Sequence, residues 1–255
     1  MKQPSSERPS QAAPARAADA LVIFAKAPTP GQVKTRLCPP LTPDEAATLH
    51  GSFVLDTLER SKSAIAKFRL SADRFVACAP AASHVFFRIL AARHAVGLLD
   101  QIGDELGARM HHVFTTLGSR GYQRIVLVGT DVPTLPAAHY RQAYDALNDH
   151  DLVLGPAQDG GYFLIGLKKP QSDLFRDIPW STDRVLELTQ RRATDAGLSR
   201  ALLPVWRDID TLEDLKALIA EAAADRNRPR ADQAFSSRTA GALDLLAQRL
   251  RERVG

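Results

Sequence analysis

The apolar and polar positions alternate in blocks from Leu21 onward. The run Leu21-Val22-Ile23-Phe24-Ala25 predicts a strand. The segment after it, KAPTPGQVKTRLCPPL, carries Pro28, Pro30, Gly31, Pro39 and Pro40, and these break regular structure. Thr42-Pro43-Asp44-Glu45 then has the signature of a helix start. Thr42 caps, Pro43 suits the first helical position, and Glu45 completes a capping box. Ala46, Leu49, Phe53 and Leu58 supply the stripe at helical spacing.

The same alternation predicts a strand at 74–79, helices at 84–94 and 104–117, and a strand at 124–128 that ends in Gly129-Thr130-Asp131. A helix at 137–147 follows, with Thr134 as its capping candidate. Strands at 151–154 and 162–167 flank a loop at 155–161. A helix capped by Ser181 or Thr182 reaches Ala196, a strand covers 201–205, and Thr211 caps a helix over 212–222. Strands alternating with helices imply an α/β chain with a mostly parallel, helix-covered sheet. Leu243, Leu246 and Leu250 lie at helical spacing, so a final amphipathic helix docks on the body or on a partner subunit, which leaves a homodimer open.

Composition narrows the class. Hydrophobic residues at 45% and charged residues at 24% match an ordinary globular protein, which excludes a wholly disordered, collagen-like or coiled-coil chain. The 255 residues suffice for one large domain. Residues 1–18, rich in Pro, Ala and Ser, read as a flexible arm; 19–223 form the body, 224–235 a charged linker, and 236–255 the C-terminal helix. Apolar runs such as 125–128 and 152–154 fall far short of the roughly 20 residues of a membrane span. A net charge of +4 without a concentrated basic run gives no reason to expect nucleic acid as a partner. Cys38 and Cys78 form neither a metal-ligand spacing nor a disulfide framework, and Glu7, Arg8, Arg16 and Asp19 interrupt any signal peptide. A cytoplasmic protein is the expectation.

Ligands of open parallel sheets bind at the carboxyl ends of the strands, which selects four loops. The first holds Lys26, Lys34 and Arg36. If Lys34-Thr35-Arg36 is extended, both cations project to one side and grip a phosphate chain. It is not a Walker loop, because no earlier glycine stands at the required spacing from Gly31 and Lys34. The second holds Asp131 at the mouth of an apolar strand, where a carboxylate needs a metal, a cation or a hydrogen-bond partner. An all-oxygen site with phosphates suits Mg²⁺ or Mn²⁺. The third, Gln158-Asp159-Gly160-Gly161-Tyr162, is a turn signal whose glycines also admit close approach of a ligand. The fourth, Asp208-Ile209-Asp210-Thr211, puts two carboxylates on one side of an extended segment before a helix. Trp180-Ser181 lines an acceptor pocket or packs in the core and caps a helix. His111-His112 faces two directions on a helix, and no G-x-S-x-G elbow exists, so nucleophilic hydrolysis is disfavoured.

FAKAPTPGQVKTRL, GDELGARM, VGTDVPTL, GPAQDGGYFLIGL, PWST and RDIDTLEDL, in that order over roughly residues 20 to 220, resemble the rSAM/selenodomain-associated transferase family, whose members are GT-A glycosyltransferase-like. More distantly the chain is similar to 2-phospholactate guanylyltransferase and the molybdenum-cofactor nucleotidyltransferases, which share a K-T-R-L loop and a D-x-D-T-x-E-D-L segment. The resemblance implies a GT-A, Rossmann-like α/β/α sandwich binding a nucleotide through Mg²⁺ or Mn²⁺. It implies nucleotide binding by Phe24, Ala25, Lys26, Lys34, Arg36, Gly129, Thr130 and Asp131. Asp131 corresponds to the metal-binding aspartate, with the second carboxylate from Asp208 or Asp210. Asp159, Gly160, Gly161, Tyr162, Trp180 and Ser181 are assigned to the acceptor. Asp131, Asp159, Lys34 and Arg36 form the expected catalytic set. The chain departs from the sugar nucleotidyltransferases in its proline-containing loop, and from the usual glycosyltransferases in lacking a D-x-D at Thr130-Asp131-Val132-Pro133.

Three functions follow. The first is metal-dependent glycosyl transfer from a nucleotide sugar to a small-molecule acceptor, with Asp159 orienting or deprotonating the acceptor. The second is nucleotidyl transfer with release of pyrophosphate. The third is a nucleotide-binding or assembly protein without turnover.

Overall fold

The computed structural model describes residues 17–229 and 233–254. Most of the expected N-terminal arm, and residues 230–232 of the expected linker, lie outside the described residues.

Seven strands form one sheet in the order β3-β2-β1-β4-β6-β5-β7. They are β1 (Asp19–Lys26), β2 (Ala72–Ala79), β3 (Gly97–Asp100), β4 (Arg124–Gly129), β5 (Leu152–Pro156), β6 (Tyr162–Leu167) and β7 (Arg200–Leu202). All neighbours run parallel except β6, which is antiparallel to both β4 and β5. The expected mostly parallel α/β sheet is therefore present. The register pairs Phe24 with Gly129, so β1 and β4 end side by side and their following loops share one edge.

The strand period of two splits the core between the two sheet faces. Leu21, Ile23, Val126 and Val128 point to one side, packed with Val54, Leu58, Phe87 and Tyr140 from α1 (Pro43–Phe68), α2 (Val85–His94) and α4 (Ala137–Asp149). Val22, Ile125 and Leu127 point to the other, packed with Met110, Val113, Phe114 and Ala193 from α3 (Leu106–Ser119) and α5 (Val185–Asp195). A third cluster joins Leu49 and Phe53 of α1 to α6 (Leu212–Asp225) and α7 (Ser237–Val254) through Leu215, Leu218, Leu243 and Leu246. The C-terminal helix thus docks on the body, where Arg249 also pairs with Glu45 at 2.7 Å. No helix among the described residues is long and apolar enough to cross a membrane.

The α1 capping box forms: Glu45 N donates to the Thr42 hydroxyl at 3.2 Å, and Thr42 N donates to Glu45 Oε2 at 2.8 Å. Elsewhere tertiary contacts override the local signals. The helix expected from Ser181 or Thr182 starts at Val185, behind Arg184, because Ser181 takes a left-handed φ of 65°. The strand expected at 201–205 stops at Leu202, ahead of Pro204. Thr134 does not cap α4, since its hydroxyl accepts from Trp206 Nε1 at 3.3 Å. Helix α6 runs to Asp225, into the segment expected as linker. β3 was not anticipated.

Candidate functional site

A cleft of about 660 Å³ opens along the carboxyl ends of β1 and β4. One wall consists of Phe24, Ala25, Lys26 and the loop residues Lys34 to Arg36. Its floor includes Gly129, Thr130 and Asp131. The lining also includes Gln101, whose amide donates to the Ala25 carbonyl at 3.1 Å, with Arg109, Met110, Tyr162, Trp180 and Ser181.

The loop after β1 is not extended. Lys34 has a left-handed backbone (φ 49°) and the three residues that follow form a single 3₁₀ turn; Lys34 turns inward, while Arg36 stays at the surface with Nη1 4.0 Å from Asp210 Oδ2. Arg36 is solvated, with a side chain 64% exposed, whereas that of Lys34 is 4% exposed. The Lys34 ammonium lies 2.5 Å from Asp131 Oδ1, 2.9 Å from Asp210 Oδ1 and 2.5 Å from the Ile209 carbonyl oxygen. This ammonium donates to Asp210 Oδ1 and the Ile209 carbonyl, and Asp131 Oδ1 lies in ion-pair contact beside them. The extended Lys34-Thr35-Arg36 segment expected from the sequence is therefore replaced by a turn. Burial penalises the Lys34 ammonium, and the two aspartates more than offset it, so its pKa rises.

Asp131 shows the counterpart. Burial pushes its carboxyl up, yet Lys34, His50 and Lys26 together bring it below the usual carboxylate value. Oδ1 is the buried oxygen, while the side chain as a whole is 44% exposed, so its accessible surface lies on the remainder, which faces the cleft. Behind it, His50 Nε2 hydrogen-bonds the Lys26 carbonyl at 3.1 Å, and burial holds the imidazole below its ordinary pKa.

At the cleft rim Asp159, Asp208 and Asp210 each present an oxygen, all within 4.8 Å of one another. Asp210 belongs to both this cluster and the cleft lining; Asp159 and Asp208 lie just outside. The structure therefore brings Asp208 and Asp210 together, but their third partner is Asp159 and not Asp131. The hairpin fixes Asp159: its Oδ1 accepts from Gly161 N at 2.8 Å, and Gly160 has φ +87°. A Cβ on Gly160 would stand 2.1 Å from the Asp183 carbonyl oxygen, so glycine is required where the hairpin meets the segment before α5. Among the described residues neither Asp159 nor Asp208 has an ion-pair partner. Burial, then the negative charges of Asp159, Asp210 and Asp214, push the Asp208 carboxyl up to about 6. Three converging carboxylate oxygens, of which only that of Asp210 belongs to a residue with an ion-pair partner among the described residues, form a donor set of the kind hard divalent metals take.

Gly161 belongs to the same hairpin, and Tyr162, Trp180 and Ser181 line the cleft beside it. Gln101 and Arg109 were missed by sequence reasoning. Arg109 Nε donates to the Gly103 carbonyl at 2.8 Å, holding its guanidinium on the cleft wall. GDELGARM was visible as a motif, but without β3 nothing placed it at a strand mouth.

The fold and this cleft define an α/β protein of the nucleotide-diphospho-sugar transferase kind of architecture. The crystal structure of a "putative nucleotide-diphospho-sugar transferase" from Desulfovibrio desulfuricans G20 superimposes with a TM-score of 0.77 at 32% identity, over 92% of this chain and 98% of that one. The chain belongs to the same family as that protein. The model of the family described as uncharacterized protein conserved in bacteria (DUF2064) matches residues 64–182. A cytidylyltransferase from Leptospira borgpetersenii serovar Hardjo-bovis shares the fold alone, with a TM-score of 0.50 and 14% identity over 92% of this chain and 96% of that one. No curated protein matches the chain.

Proposed function

We propose that the protein is a divalent-metal-dependent transferase using a nucleotide-activated donor, and that it transfers a glycosyl group from a nucleotide sugar. The observation carrying this reading is the placement of the Asp159, Asp208 and Asp210 carboxylates at the rim of a nucleotide-sized cleft that Lys26 and Arg36 also line. The name of the Desulfovibrio relative and the resemblance to the rSAM/selenodomain-associated transferases support it.

Asp159, Asp208 and Asp210 would hold Mg²⁺ or Mn²⁺, which when bound neutralises the charge of a diphosphate leaving group. Arg36, with its exposed guanidinium, and Lys26 bind the diphosphate from the β1 side. Asp131 turns its exposed side to the cleft and accepts a hydrogen bond from a donor hydroxyl. Trp180, Tyr162 and Ser181 form the acceptor end, where an indole surface excludes water.

Lys34 separates this reading from nucleotidyl transfer. With its ammonium held between Asp131, Asp210 and the Ile209 carbonyl, the K-T-R-L loop offers a triphosphate only Arg36. The test is a thermal-shift screen of nucleotide sugars and nucleoside triphosphates with Mg²⁺ or Mn²⁺, followed by product analysis with the best ligand. Metal-dependent stabilisation by a nucleotide sugar and release of nucleoside diphosphate are expected. Pyrophosphate release would establish nucleotidyl transfer, and no shift with any nucleotide would leave the assembly-protein reading.

A further inference from the structure

Four carboxylates, Asp131, Asp159, Asp208 and Asp210, gather at one edge of the sheet, and one buried ammonium stands among them. The oxygens of Asp131, Asp210 and Ile209 converge on Lys34 Nζ at 2.5, 2.9 and 2.5 Å. Two anionic oxygens and a carbonyl around one point form the kind of donor set that binds a hard cation. The Phe53 ring, 5.9 Å from the ammonium, closes the apolar side.

We propose that Lys34 is a resident counter-cation: its ammonium occupies a cation position between Asp131 and Asp210, so the four-carboxylate group takes one divalent ion and not two. This rests on the reading of Asp159, Asp208 and Asp210 as a metal site. Because the ammonium is covalently attached, one of the two negative charges of Asp131 and Asp210 is offset at any metal concentration, and the three loops carrying Lys34, Asp131 and Asp210 are joined before a ligand arrives. Lys34 acts through these aspartates and is a positioning residue. Arg36, two residues on, is largely solvated and meets Asp210 Oδ2 only at 4.0 Å.

The test counts Mn²⁺ bound to the full chain, from the free-ion electron paramagnetic resonance signal, in the wild type, Lys34→Ala and Asp131→Asn. Circular dichroism checks that each variant is folded. The wild type binds one ion and Lys34→Ala binds two, the second in the vacated position. If folded Lys34→Ala still binds one, the proposal is overturned while the metal reading stands. If the wild type binds none, the metal reading fails and the proposal, which rests on it, is overturned with it. Should Lys34→Ala not fold, Asp131→Asn decides. It keeps an oxygen for Lys34 and leaves Mn²⁺ affinity within about threefold of wild type, whereas Asp208→Asn lowers it about tenfold or more. Equal loss in both aspartate variants would overturn the proposal.

Discussion

The amide of Ile209 donates to the carbonyl of Asp131 at 2.9 Å, so the loop after β4 is stitched to the loop before α6 by main chain as well as through Lys34. This bond sets Asp208 and Asp210 on either side of a buried Ile209, whose side chain is 1% exposed. An extended segment with its middle residue in the core turns both flanking carboxylates outward, to the same side. The acidic cluster is therefore a consequence of packing one isoleucine.

Gly160→Ala tests how the third carboxylate is held. The new Cβ would meet the Asp183 carbonyl in a backbone with φ +87°, so the hairpin or the segment before α5 must move. We expect a loss of about 1–3 kcal/mol, seen as a lower Tm, together with weaker Mn²⁺ binding. Unchanged Tm and unchanged metal affinity would show that this contact does not position Asp159.

Arg36→Ala should behave in the opposite way. A solvated side chain away from the core contributes little to folding, within about ±0.5 kcal/mol, so Tm stays constant. Loss of a charge-assisted contact to the diphosphate should raise the donor Kd about tenfold or more, for a contact of roughly 1.5–3 kcal/mol. Titration of the nucleotide sugar by calorimetry reads both the affinity and the fraction folded. Wild-type affinity would remove Arg36 from the donor site.

His50 predicts a pH dependence of stability. Its folded pKa lies below the unfolded value near 6.5, mainly through burial. Between the two values the unfolded chain holds more protons, so stability decreases as pH falls below about 6.5. His94 and His139 are shifted in the same direction, so the contribution of His50 is read as a difference. His50→Gln retains a donor for the Lys26 carbonyl and cannot titrate. Its Tm should fall less steeply than that of the wild type between about pH 7 and 5.5, and parallel curves would count against a neutral buried imidazole.

Much of the sheet was legible because its signals are local. The apolar run of β1, the Thr42–Glu45 box and the Thr211 cap of α6 each lie within a few residues and each formed. β3 has four residues and an exposed Asp100, too little pattern to separate from a loop. The partner of Asp208 and Asp210 was not legible, since Asp159 reaches them only because β6 enters antiparallel between β4 and β5. The direction of Lys34 was hidden for another reason. A left-handed lysine is uncommon, and nothing in K-T-R-L announces it.

Trp180 offers the sharpest separation of donor from acceptor. Its indole packs so closely on α3 that a Cβ on Gly107 would lie 2.6 Å from Trp180 Cζ2, and it lines the cleft. A donor held by cations and metal should not depend on this ring, whereas an acceptor stacked on it should. Trp180→Ala removes the surface and leaves Lys26, Arg36 and the carboxylates in place. The thermal shift with nucleotide sugar and Mn²⁺ should then match the wild type, while acceptor KM rises about fivefold or more, the equivalent of ~1 kcal/mol of lost aromatic contact. Loss of the nucleotide-sugar shift would instead put the base or sugar of the donor against Trp180. The acceptor would then have to enter from the Asp159 side of the rim.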